Sequence, residues 1–184
     1  MERYRSFGLL PGLVLGLLSV PSPAPAGDAG DAAAGPAVQA ESAVEAGRYL
    51  VTVGGCHDCH TEGWAETNGT LPEAEWLKGS AIGWRGPWGT TYASNLRLVA
   101  AGMPEDAWVA MLRTRTDRPP MPWMNVNRMS EQDARAVYRY LRSLGAAGET
   151  MPAATMPGVE PTTPYFLLEP TAPRRLQADL GSDE

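Results

Sequence analysis

The 184-residue sequence contains two cysteines and two histidines, and all of them fall within Cys56-His57-Asp58-Cys59-His60. Cys-x-x-Cys-His is the spacing of a covalent c-type haem attachment site. Two thiols one helical turn apart can each add to a vinyl group and so fix one edge of the ring. The adjacent His60 imidazole is then carried under the centre, where it can ligate iron from one face. Three other uses of the pair are weaker. A thioredoxin-like dithiol lacks its βαβ surroundings. A structural zinc site needs four ligands, and Cys and His ligands confined to five residues cannot close a tetrahedron unaided. A disulfide is allowed in an exported protein, but it leaves His60 and the rest of the pattern unexplained. The residues therefore favour one haem c bound through Cys56 and Cys59, with His60 as the proximal ligand. His57, at an interior x position, reads as a solvent-facing side chain.

With no histidine outside the motif, bis-histidine coordination within the chain is disfavoured, and methionine is the candidate ligand for the opposite face. Arg118-Pro119-Pro120-Met121-Pro122-Trp123-Met124 places Met121 between prolines. They remove backbone donors and hold the chain extended, so the segment is not expected to be helical. A thioether presented rigidly from that distance can reach the far side of a ring anchored at His60. Met124 is the second candidate. Met103 and Met129 lie beside helix starts, Met111 reads as core, and Met151 and Met156 lie in the tail. A His60/Met121 pair would stabilise the reduced iron and raise its potential.

The elements that must position these groups are helical. Ala43, Val44, Ala46, Gly47, Leu50 and Val51 recur at helical spacing, predicting a helix over 42–53 ended by Gly54-Gly55. A second is predicted from Met103 to Arg113, with Pro104, Glu105 and Asp106 suited to its first turn. A third opens at Ser130 as N-cap, carries Val137, Tyr138, Leu141 and Leu144 on one face, and stops at Gly145. Arg135, Arg139 and Arg142 read as solvated. Residues 61–80 read as polar surface loop, with room for one turn at Glu75-Trp76-Leu77-Lys78. The stretch 79–97 is rich in glycine and aromatics and shows neither helical nor strand period. Such a loop suits wrapping around a planar cofactor. Arg85, Trp88, Tyr92, Asn95 and Arg97 are its candidate donors to the haem propionates.

The rest bounds the setting. Arg3 and Arg5, the apolar run from Phe7 to Val20 and Ala24-Pro25-Ala26 make residues 1–26 a cleavable signal peptide. The run is short for a membrane span and is broken by Pro11, Gly12 and Gly16, so a retained anchor is the weaker reading. The expected location is periplasmic. Residues 27–40 are small and low in complexity, a flexible linker. Residues 146–184 form a Pro-rich C-terminal extension without an evident regular element, in which Pro164-Tyr165-Phe166-Leu167-Leu168 is an apolar patch able to dock back. The net charge of −6 argues against nucleic acid and anionic membrane surfaces.

Residues 41–145 resemble a class I-type monohaem cytochrome c of the bacterial periplasmic kind. The resemblance rests on Ala46-Gly47-Arg48-Tyr49-Leu50 ahead of the Cys56–His60 motif, on Met121-Pro122, and on the run from Asp133 to Leu144. Tyr92-Ala93-Ser94-Asn95-Leu96 and the Met-Pro-aromatic pattern are similar to cytochrome domains that serve periplasmic dehydrogenases. The resemblance implies an all-α cytochrome c fold of about three main helices around one haem, with Gly47 and Tyr140 meeting where the first and last helices cross. It implies electron transfer by Fe(II)/Fe(III) cycling rather than an enzyme. Redox proteins are the expected partners, such as a periplasmic dehydrogenase or a terminal oxidase. The alternative is a haem enzyme or gas-sensing protein with an open or displaceable sixth position.

Overall fold

The computed structural model describes residues 36–171; the segment read as a signal peptide, most of the expected linker and the end of the extension lie outside them. Six helices occur among the described residues, and the three longest are the expected ones: α1 (Ala43–Val53), α4 (Glu105–Thr114) and α6 (Glu131–Leu144). Ser42 caps α1 by accepting from Glu45 N, and Ser130 caps α6 by accepting from Asp133 N. Each cap satisfies an amide that the first turn leaves without a partner. Three short helices complete the set: α2 (Cys56–His60), α3 (Leu96–Ala101) and α5 (Trp123–Val126). No helix among the described residues is long and apolar enough to cross a membrane.

The frame is the crossing of α1 and α6. A Cβ built on Gly47 would lie 2.1 Å from Ala136 O and 2.7 Å from Tyr140 Cβ, so only a residue without a side chain allows this approach. Tyr140 continues the contact. Its hydroxyl donates to Glu73 Oε1 (2.7 Å), which also accepts from Arg48 Nε on α1 (3.1 Å). Burial and the neighbouring Glu73 carboxylate push the Tyr140 phenol up, and the Tyr140 hydroxyl holds Glu73 below the usual carboxylate range. α4 closes the core from the other side: Trp108 is buried and its indole donates to Ala134 O (3.1 Å). Arg135 and Arg139, expected to be merely solvated, tie α6 to α4 through Glu105, with Asp106 and Glu131 as further partners of Arg135.

Two stretches differ from expectation. Residues 61–80 are not simply surface: after a 3-10 turn at Glu73–Glu75, Trp76 and Leu77 enter the core, and Leu77 is fully buried. The stretch 79–97 does contain regular structure. Strands β1 (Gly83–Gly86) and β2 (Gly89–Tyr92) form an antiparallel hairpin, with Gly86 opposite Gly89, and α3 follows. The period was hidden because each strand is four residues long and glycines occupy three of the eight positions, which erases alternation. The extension adds β3 (Tyr165–Leu167) parallel to β1, giving the sheet order β2-β1-β3. The apolar patch thus docks as a strand, although its three side chains stay exposed.

Candidate haem site

Gly55 sits in the left-handed region (φ 68°) between α1 and α2, turning the chain so that α2 starts immediately. This conformation costs glycine little and other residues more. α2 is a single turn that carries Cys56, Cys59 and His60. Both thiols are free, three residues apart on that turn, as two attachment points on one ring edge require. Burial pushes the Cys56 thiol up to about 11 and raises Cys59 as well, with Asp58 adding to both. Both are therefore neutral at physiological pH, a state compatible with an apolar pocket wall.

His60 is buried, and its Nδ1 lies 2.7 Å from the Ser94 carbonyl oxygen. A carbonyl only accepts, so Nδ1 carries the proton and Nε2 keeps its lone pair. Burial lowers the His60 pKa while the Ser94 carbonyl opposes that shift; the neutral ring is the ligating form. An imidazole oriented through its outer N–H by a backbone carbonyl is the usual support of a metal-binding histidine. A cavity of about 310 Å³ adjoining Ser94 is lined by Tyr92, Leu98, Val99, Thr150, Met151 and Pro152, and none of Cys56, Cys59 and His60 lines it. The two free thiols and the free Nε2 lone pair fit a haem.

His57 is not solvent-facing. It is 1% exposed, stacked on Trp64 at 4.1 Å between ring centroids and edge-on to Trp76 at 4.6 Å. Thr61 Oγ1 accepts from Leu77 N (2.8 Å) and lies 2.9 Å from His57 Nδ1. The His57 cluster thereby ties the attachment turn to Leu77 in the core. Burial brings the His57 pKa down to about 4. Unfolding restores the ordinary value near 6.5, so between these limits the unfolded chain binds a proton that the folded chain refuses. Stability is expected to decline as pH falls from about 6.5 towards 4. Urea titrations of wild type and His57→Gln across that window check this: the variant is expected to show a flatter pH dependence.

The five proposed propionate donors separate. Asn95 caps α3 through Leu98 N (3.1 Å) and its Nδ2 donates to Ala147 O (2.8 Å) and Glu149 O (3.1 Å). Arg97 is buried, donating to Gly145 O (2.7 Å), Ala74 O (3.0 Å) and Leu144 O. Arg85 pairs with Glu160 and Tyr165 across the sheet. The Tyr92 hydroxyl accepts from Thr163 Oγ1 (3.1 Å). These four side chains therefore hold the chain to itself, and Asn95 and Arg97 in particular close the end of α6 and the start of the extension over α3. Trp88 is different: its buried Nε1 has no partner among the described residues, and the hydroxyls of Thr90 and Thr155 share that condition. Thr90 and Thr155 were missed by sequence reading. Thr90 sits in an unrecognised strand and Thr155 in an extension with no pattern, so no residue-type signal marked them.

Residues 118–121 form bends and a turn; Met121 is partly buried there, and α5 starts two residues later, so Met124 is helical and mostly exposed. The extended conformation expected over 118–124 is therefore not found: a turn at Pro119-Pro120 and α5 at Trp123–Val126 take its place.

A covalent haem turn, a carbonyl-oriented histidine and a crossed pair of terminal helices define a c-type haem protein. The Cytochrome c family model matches residues 44–145, more than half the chain, and the protein belongs to that family. No curated protein and no solved structure matches the chain. Membership carries covalent haem c at Cys56 and Cys59, with His60 completing the motif, and a role in electron transfer.

Proposed function

We propose that this protein is an exported one-electron carrier with His60 and Met121 as axial ligands. When bound, haem c supplies Fe(II)/Fe(III) cycling. The observation that carries the reading is the Nδ1–H of His60 held by Ser94 O, which leaves the Nε2 lone pair free for a metal. The chain's own part is to keep that imidazole neutral and fixed, to exclude water from the ring and to present a thioether from the other face. Met121 is preferred to Met124 because it is the less exposed and stands between two prolines, outside α5. Trp88, whose buried indole N–H is unsatisfied, is the one of the expected propionate donors left free to donate. Residues 1–26 direct export, and the acidic chain meets redox proteins through basic or mixed patches.

Met121→Ala tests the ligation. The variant is expected to keep its haem, lose the weak red charge-transfer band of the oxidised form, bind imidazole readily and shift to a lower potential. Persistence of that band in Met121→Ala would remove Met121 and promote Met124. Ready imidazole binding by the wild type would favour the sensor or enzyme reading.

A further inference from the structure

The segment carrying Met121 is anchored on both sides, by different means. On the C-terminal side Asn127 Nδ2 donates to Leu112 O (2.7 Å) and Arg115 O (3.1 Å) at the end of α4. On the N-terminal side Arg118 Nη1 donates to Thr155 O (2.7 Å) and Trp88 O (3.2 Å), and Thr91 Oγ1 donates to Pro119 O (2.7 Å). Trp88 and Thr91 belong to the hairpin, whereas Thr155 belongs to the extension. Thr155 is itself pinned to β2, exchanging both backbone hydrogen bonds with Thr90 (2.9 and 3.2 Å). The approach is close: a Cβ on Gly89 would lie 2.1 Å from Thr155 O. One guanidinium therefore gathers the hairpin, the extension and the Met121 segment.

Little slack separates that clamp from the thioether. Only Pro119 and Pro120 stand between Arg118 and Met121, and Pro122 follows; each ring fixes its φ. Donors carrying full charge bind carbonyls more strongly than neutral ones, and no carboxylate among the described residues forms an ion pair with Arg118 to compete for it.

We propose that Arg118 is the positioning residue for the sixth ligand. Its guanidinium locks 118–121 against the hairpin and the extension, and so governs how readily the Met121 sulfur gives way to another ligand. The extension is then a working part of the site. This rests on the reading of Met121 as the ligand.

The test is the rate of imidazole binding to the oxidised holoprotein, followed optically beside the Met121-dependent band. Arg118→Ala is expected to bind imidazole roughly ten- to a hundred-fold faster while still showing the band before imidazole is added. Arg118→Lys should recover part of the difference. Thr91→Val, which removes the Pro119 anchor alone, should accelerate binding by roughly three-fold, and it decides the matter if Arg118→Ala does not fold. Val137→Ala loosens the core at α6 and is expected to lower Tm without accelerating binding. Wild-type rates in both Arg118→Ala and Thr91→Val, or equal acceleration in Val137→Ala, overturn the proposal while leaving the His60/Met121 reading intact. A band that survives Met121→Ala overturns that reading, and the proposal with it.

Discussion

A chain carrying Cys56→Ala and Cys59→Ala is expected to emerge from denaturing electrophoresis with no haem. The two thiols are the only cysteines, so no other side chain can form a thioether to the ring. Each single variant keeps one point of attachment and is expected to retain haem in lower yield. The double variant should also be markedly less stable. A fold that closes around a large apolar ring loses that burial when the ring is absent. Haem staining after denaturation, read beside the thermal transition of each variant, measures both effects. Haem that stays with the double variant through denaturation contradicts attachment at this turn.

Gly47→Ala is expected to destabilise the protein although alanine is the better helix former. Intrinsic propensity favours alanine by about 1 kcal/mol. Against that, the new methyl would sit 2.1 Å from Ala136 O and 2.6 Å from its carbonyl carbon, both backbone atoms of α6. No rotamer relieves such a contact; the two helices must separate. Overpacking of this kind costs about 3 kcal/mol, so the net loss is about 2 kcal/mol, a fall in Tm of roughly 6–10 °C. Gly102→Ala makes the contrast. Its nearest neighbour would be Leu98 O at 3.4 Å, at an exposed helix end in the right-handed region, and Tm is expected to hold. Equal transitions for Gly47→Ala and wild type would mean that the helices do not cross at this point.

The parts legible in the sequence are those with periodic or chemically rare residues. α1, α4 and α6 announced themselves through apolar spacing and caps. Cys56, Cys59 and His60 were legible because cysteine and histidine occur nowhere else. The hairpin was not, since Gly83-Trp84-Arg85-Gly86 and Gly89-Thr90-Thr91-Tyr92 are too short and too glycine-rich to show a period of two. The burial of His57 was hidden for another reason. It depends on Trp64 and Trp76, which join it only when 61–80 folds back onto the attachment turn. Asn95 and Arg97 have donor side chains that suit a carboxylate as well as a carbonyl. Which they meet is decided by the path of 144–149, and sequence spacing does not encode that path.

The most direct measurement is the intact mass of the purified protein under denaturing conditions, followed by mapping of its proteolytic peptides. The expected mass is that of the polypeptide plus one haem, with the added mass confined to the peptide that contains Cys56, Cys59 and His60. A bare polypeptide mass, or haem that extracts freely into acidified solvent, would contradict covalent attachment and with it the account of this chain as a haem c electron carrier.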